Sequence, residues 1–179
     1  FGSVEATDQL RILCEKEPGY DDDSLHDAKV GGRPEPDHSV RQCRIKGISP
    51  KRLPLISVGL GKIIRNVNDM QWKMDLKHEW QASVQYTRYL GKGHFYKWHR
   101  DAYPKGECTV GFGRKLTIVY CLSYEKDYTG GEFEVERDDK TIYTRKFDYG
   151  DFIVFPARKL HRVIPLESGT RTTLVGWYM

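Results

Sequence analysis

His99 and Asp101 stand two positions apart at the end of an aromatic-rich run, Tyr86–Asp101. On an extended strand side chains alternate between faces, so this imidazole and carboxylate point the same way and Arg100 points opposite. They are two-thirds of a facial metal site: two His and one carboxylate, with open positions, suit non-haem Fe(II). His161, at the start of a later apolar run, supplies the third ligand as a neutral imidazole. Three protein ligands on an octahedral ion leave three positions, enough for a bidentate cosubstrate plus dioxygen.

Arg171 lies ten residues past His161, and Thr173 two further on, facing the same side of the last strand. A turn at Glu167–Gly169 is expected to fold that strand back beside the one carrying His161, placing Arg171 about 10 Å from it. A five-carbon dicarboxylate held at the metal by its keto-acid end would send its far carboxylate toward the guanidinium, whose fork matches it bidentately. Thr173 adds a hydroxyl donor, and Tyr89, ten residues before His99, a phenol. Such convergence suits a buried anion, because an unpaired charge there is costly. His-x-Asp alone is weak evidence; the downstream His and then Arg-x-Thr give it weight.

The remaining polar residues read as structural. His26, His38, His78 and His94 have no partners at ligand spacing, and Arg100 falls on the face away from the ligands. Trp98 either lines the pocket mouth or packs beneath the sheet, with packing favoured. Cys121 reads as a small core hydrophobe, and Gly130-Gly131 as a turn and a point of close approach.

These residues need a β-rich scaffold, and the chain offers one. With 39% hydrophobic and 30% charged residues, 179 residues read as a single domain, 1–179. Residues 1–80 provide helical support and loops, with helices over Ser3–Glu17 and within Pro50–Asn68, and a loop at Tyr20–Asp37. Residues 81–179 form the core: strands at Ala82–Leu90, Phe95–His99, Lys115–Ser123, Glu132–Arg137, Thr141–Phe147, Asp151–Phe155, His161–Pro165 and Thr172–Tyr178. Asp138–Lys140 makes a hairpin. Helices first and strands after give an α+β, mainly β chain: a double-stranded β-helix (jelly roll) with helical support. The Gly-rich connection Ala102–Arg114 and Tyr20–Asp37 are expected to flank the entrance and become ordered on binding.

The net charge of +4 is spread along the chain, so no nucleic-acid patch is read. No stretch has the apolar length of a membrane span, and no secretory leader is evident. Cys14, Cys43, Cys108 and Cys121 form no C-x-x-C pair and read as free thiols in a reducing cytoplasm.

The segments YLGKGHFYKWHRD, LTIVYCLS, YTGGEFEVE and YGDFIVFPARKLHRVIPLESGTRTTLVGW run through Tyr86–Trp177, about half the chain. They resemble the Fe(II)/2-oxoglutarate-dependent dioxygenases, in the prolyl 4-hydroxylase-like branch that includes the PKHD-type hydroxylases. The resemblance implies that His99, Asp101 and His161 bind Fe(II) and act in catalysis, and that Arg171, with Thr173 and Tyr89, binds the C5 carboxylate of 2-oxoglutarate. Tyr96 matches the family's aromatic position three before the first ligand. Arg171 agrees with PKHD-type and oxygen-sensing prolyl hydroxylases, whereas collagen-type enzymes carry Lys there. Cys121, with Tyr120 beside it, stands where some relatives place a second cosubstrate-contacting Tyr.

The implied cofactors are Fe(II), 2-oxoglutarate and O2, with ascorbate as a stimulant. The implied reaction hydroxylates an unactivated C–H bond while 2-oxoglutarate becomes succinate and CO2, with a prolyl residue in a peptide or protein as the leading substrate. The alternatives are an oxygenase of a free amino acid or small metabolite, and a non-catalytic cupin-like metal-binding module. Nucleic-acid demethylation is disfavoured, because Trp177 stands where those relatives place a second Arg.

Overall fold

The computed structural model describes residues 3–16, 26–30, 35–49, 53, 55–77, 84–104 and 111–179. Two helices come first, α1 (Val4–Lys16) and α2 (Gly61–Gln71), the second entered through a π-helical turn at Ile56–Leu60. Among the helices lie β1 (His26–Asp27), β2 (Arg41–Gln42) and β3 (Arg44–Ile48). The remaining strands are β4 (Val84–Leu90), β5 (Phe95–His99), β6 (Leu116–Cys121), β7 (Tyr128–Gly130), β8 (Phe133–Glu136), β9 (Ile142–Arg145), β10 (Phe152–Pro156), β11 (His161–Val163) and β12 (Leu166–Tyr178).

The larger sheet has the order β1-β3-β4-β12-β6-β10, with β7 joined to the start of β12; the smaller runs β2-β5-β11-β8-β9. All pairs are antiparallel. The result is the jelly roll expected from the strand pattern.

Alternation along the strands of the larger sheet divides the apolar residues between two cores. Ile118 and Tyr120 of β6, Tyr86 of β4 and Leu174 of β12 face outward, where they pack under the helices with Leu10, Ile56, Leu60 and Ile64. Their neighbours Val119, Cys121 and Tyr89 face the smaller sheet and meet Phe133, Val135, Phe155 and Val163. Every residue of β6 is therefore buried, as suits a β-branched and aromatic run covered on both faces.

The helices are tied down by polar contacts as well as by burial. Ser3 caps α1, its Oγ accepting from the Ala6 N–H at 3.2 Å. Thr7 reaches the Tyr120 hydroxyl at 2.7 Å inside the core. At the end of α2, Asn68 accepts from the Met74 N–H and donates to its carbonyl, both at 2.9 Å. Truncating a core residue such as Ile64 to Ala costs about 2–5 kcal/mol.

Several boundaries differ from expectation. The second helix extends to Gln71 because Asn68 satisfies the backbone after it. Glu167–Gly169 is no hairpin turn: the three residues lie within the 13-residue β12, whose first part pairs with β7 through an irregular register. Consequently β12 does not return beside β11. It crosses into the larger sheet between β4 and β6, so Arg171 faces the strand of His161 from the opposite sheet. The Asp138–Lys140 turn joins β8 and β9 as expected, with Lys140 at φ 69°. Strands β1 and β7, only two or three residues long, carry too little pattern to be read, whereas β2 and β3 both fall within Ser39–Ile48, a stretch that reads as one short strand.

Candidate active site

His99 and His161 are brought together by the β5–β11 pairing, in which they are direct partners. Val163 pairs with Tyr96, so three steps on β5 oppose two on β11. This bulge puts Tyr96 and His99 on one face despite their odd spacing. Their rings stack at 3.4 Å, and the two imidazoles lie 4.1 Å apart. Asp101 sits just past the end of β5. Its backbone N–H and that of Ala102 both donate to the Ala157 carbonyl, at 2.9 and 3.0 Å, which fixes the turn.

The three side chains converge. Asp101 Oδ1 lies 3.7 Å from His99 Nε2, and Oδ2 lies 3.4 Å from His161 Nε2. Candidate ligand atoms of the three residues all fall within 4.8 Å of one another. His99 Nδ1 meets the Lys97 carbonyl at 2.8 Å and His161 Nδ1 meets the Lys159 carbonyl at 2.9 Å. A carbonyl only accepts, so each Nδ1 carries the proton and each Nε2 turns a lone pair toward the carboxylate. Two lone pairs facing an anion repel one another unless a cation stands between them. The donor set therefore fits a divalent metal ion.

The surroundings keep the set in that state. Burial, then the neighbouring His161, push the His99 imidazolium down to about 3, so the ring is neutral in the physiological range. Burial alone would raise Asp101, but the positive charge that His161 and His99 carry when protonated, together with hydrogen bonding, outweighs it and holds the carboxyl below its usual range. One of those bonds is explicit: Thr117 Oγ1 donates to Asp101 Oδ2 at 2.8 Å. The Trp177 indole also favours the charged carboxylate, although its buried Nε1–H has no acceptor in hydrogen-bond geometry. Phe155 and Phe133 box in His161 at 4.7 and 5.7 Å.

A cavity of about 330 Å³ opens from the triad between the sheets. Arg171, Thr173 and Tyr89 line it, as the alternation along β4 and β12 requires. Arg171 is 1% exposed, yet its Nε and Nη2 have no hydrogen-bond partner. Those atoms form one edge of the guanidinium, so the free donors make a two-pronged fork of the kind a carboxylate accepts. The Tyr89 ring centre lies 5.5 Å from the guanidinium carbon. Tyr128, unmarked by any sequence signal, feels the Arg171 charge and donates its own proton to the Phe147 carbonyl at 2.6 Å. It brings a second phenol to the arginine, while Cys121 stays in the core, wholly buried.

Other residues fall differently. Arg100 lines the cavity rather than serving structure alone, as do Arg41, Arg114 and Trp177. Arg114 stacks on Trp177 at 3.8 Å and donates to the Asp101 carbonyl at 3.2 Å. Trp98 is 37% exposed beneath Arg162. His94 accepts from the Leu90 N–H, a turn contact. Gly131 makes the close approach expected of Gly130-Gly131: at φ +70° it faces Leu166 and the Arg171 stem. Of the two entrance segments, Lys29, Val30, Tyr103 and Arg114 line the cavity, whereas residues 20–25, 31–34 and 105–110 lie outside the described set, as do Cys108 and His78.

A jelly roll carrying a His-Asp-His set and a free buried arginine in one cavity defines a non-haem-iron oxygenase type of architecture. Residues 84–179 match the model of the 2OG-Fe(II) oxygenase superfamily, and the chain belongs to that superfamily. That family's chemistry uses Fe(II), 2-oxoglutarate and O2. Among curated proteins, a PKHD-type hydroxylase of Hyphomonas neptunium is 36% identical over 87 residues, covering 49% of this chain and 38% of that protein. A PKHD-type hydroxylase of Gloeothece citriformis is 46% identical over 63 residues, 35% of this chain and 28% of that one. The chain thus spans less than half the length of these relatives.

Solved structures share the fold at low identity. A Pseudomonas putida prolyl-4-hydroxylase superposes with a TM-score of 0.73 at 18% identity, covering 98% of this chain and 86% of the other. A Trichoplax adhaerens prolyl hydroxylase, solved with a hypoxia inducible factor peptide, gives 0.72 at 16%, covering 99% and 76%. No helix among the described residues is long and apolar enough to cross a membrane.

Proposed function

We propose that this domain hydroxylates an unactivated C–H bond, with a prolyl residue of a peptide or protein as substrate, and that it folds as one unit over residues 1–179. His99, Asp101 and His161 hold Fe(II); Arg171 grips the C5 carboxylate of 2-oxoglutarate, with Tyr89 and Thr173 completing the wall. The observation that carries the reading is the unpartnered fork of Arg171 in the cavity that also holds the triad. A buried guanidinium without a counter-charge is costly, and an anion of the right length offsets that cost.

When bound, the iron, the keto acid and dioxygen supply the oxidising chemistry that turns 2-oxoglutarate into succinate and CO2 as the C–H bond is hydroxylated. The chain's own residues orient and protect. Lys97 and Lys159 carbonyls fix both imidazoles with Nε2 available, and Thr117 holds the Asp101 carboxylate charged and aimed. Phe133 and Phe155 keep water from one side of His161. Trp177, with Arg114 stacked on the indole, and Tyr96, held between Arg41 and His99, add aromatic surface to the cavity lining. The prolyl-hydroxylase folds among the solved structures favour a peptide, and the buried Cys14, Cys43 and Cys121 take part in no disulfide among the described residues, as suits a reducing cytoplasm.

The test is turnover of proline-containing peptides and of free amino acids with Fe(II) and 2-oxoglutarate, following succinate and a mass gain of one oxygen. Peptide hydroxylation lost in His99→Ala supports the reading. Hydroxylation confined to a free amino acid overturns the peptide assignment.

A further inference from the structure

A second buried guanidinium stands in the cavity wall. Arg41, on the two-residue strand β2, pairs with Tyr96 of β5 and is 6% exposed. Its guanidinium lies over the Tyr96 ring at 4.4 Å, and Tyr96 in turn stacks on His99 at 3.4 Å. Its Nε donates to Cys43 Sγ at 3.0 Å, a weak acceptor. Among the described residues no carboxylate pairs with it.

The groups facing Arg41 from the elements around it are Tyr96 of β5, Tyr89 of β4 and Cys43 beside β3. Phenols and thiols are ordinarily uncharged near neutral pH, and burial raises Tyr89 and Cys43 further, so neither supplies a counter-charge. The charge on Arg41 is thus buried against rings and a thiol, an arrangement that calls for an anionic ligand.

2-Oxoglutarate is already accounted for at both ends, by the metal set and by the free fork of Arg171 on the opposite sheet. The rim repeats the sign of Arg41: Lys29, Arg100 and Arg114 also line the cavity, and among the described lining residues Asp101 is the only acid.

We propose that Arg41 is the carboxylate-binding group of a substrate subsite, and that the peptide hydroxylated here carries Asp or Glu close to its target residue. This rests on the peptide reading above and adds the chemistry of the flanking side chain. The stack from guanidinium to His99 spans roughly 8 Å, about two residues of extended chain. The acid therefore belongs one to three positions from the hydroxylated residue.

The experiment measures affinity without turnover. Two proline peptides, one flanked by Asp or Glu and one by Asn or Gln, are titrated into protein loaded with Fe(II) and 2-oxoglutarate under nitrogen. The acidic peptide is expected to bind at least tenfold more tightly, the ratio falling to within twofold in Arg41→Gln and recovering in part in Arg41→Lys. Equal affinities for the unsubstituted protein, or no binding of either peptide, overturn the proposal without needing a variant. So does a ratio that survives Arg41→Gln, or a variant that weakens 2-oxoglutarate instead of the peptide. Competition by free proline but not by its methyl ester moves the carboxylate onto a free amino acid, and likewise overturns it. Selective binding of the acidic peptide with no hydroxylation once dioxygen is admitted leaves the subsite standing and removes the prolyl reading.

Discussion

Replacing Arg171 by Met should have opposite effects on ligand binding and on the ligand-free fold. The guanidinium is 1% exposed with Nε and Nη2 unpartnered. A carboxylate docking there gains two charge-assisted hydrogen bonds, each about 1.5–3 kcal/mol. With Met in place the carboxylate would be buried unpaired, a loss of about 3–5 kcal/mol. At about 1.4 kcal/mol per tenfold, 2-oxoglutarate affinity should fall between about a hundredfold and a few thousandfold. Arg171→Lys keeps the charge but loses the fork, so about ten- to hundredfold is expected.

The ligand-free variant, by contrast, sheds a buried unpaired charge and should unfold at the same or a higher temperature than the unsubstituted protein. Saturating 2-oxoglutarate, at a hundred times its Kd, should stabilise the unsubstituted protein by about 2.7 kcal/mol. For a chain of this size that raises Tm by about 5–11 °C, a rise absent in Arg171→Met. Calorimetric titration with Fe(II) present and anaerobic, paired with thermal unfolding, reads both effects. Binding of 2-oxoglutarate by Arg171→Met within threefold of the unsubstituted protein would refute the assignment of the fork.

Other perturbations probe the supports. Gly131→Ala places a Cβ 2.8 Å from Leu166 Cδ1 and 3.3 Å from Arg171 Cδ, at φ +70°. It should cost about 1–3 kcal/mol of stability and weaken 2-oxoglutarate at least tenfold, with an unchanged Kd counting against the steric argument. Gly111→Ala drives a Cβ into the Asp101 carbonyl at φ +84°, so Fe(II) affinity should drop and urea should unfold the protein at lower concentration. Thr117→Val removes the hydroxyl donor to Asp101 Oδ2; metal affinity should fall about 10- to 100-fold, measured by chelator competition. For pH, folded His99 is held at about 3 against an ordinary 6.5, so only the unfolded chain takes up its proton in between. The metal-free protein should therefore keep its stability above pH 6.5 and lose it progressively as pH falls toward 3. Urea midpoints should fall less steeply in His99→Ala, and identical slopes would contradict the burial argument.

The His-Asp-His cluster was readable because its spacing is local. His99 and Asp101 stand two residues apart and converge although Asp101 lies just past the end of β5, and His161 opens a run that reads as a strand. Arg171 and Thr173 announce themselves by alternation along β12. What could not be read depends on pairing between distant segments. Arg41 sits on a two-residue strand within a charged stretch, and only its pairing with Tyr96 carries it into the cavity. Tyr128 looks like any turn tyrosine until β7 pairs with β12 and sets its hydroxyl against Arg171.

Glu167–Gly169 misled for a related reason. Its composition favours a turn, but pairing with β7 absorbs Gly169, at φ +79°, into an irregular strand. Crossing to the other sheet then puts Arg171 opposite His161 instead of beside it. Arg100 was assigned by strict alternation, which fails once β5 ends at His99.

The most direct measurement is an anaerobic titration of the protein with Fe(II), before and after adding 2-oxoglutarate, on the unsubstituted chain and on Asp101→Ala. One iron per chain, bound more tightly with 2-oxoglutarate present and lost in the variant, is the expected result. Equal iron affinity in Asp101→Ala, or 2-oxoglutarate binding that ignores the metal, contradicts a shared metal and cosubstrate site in this cavity.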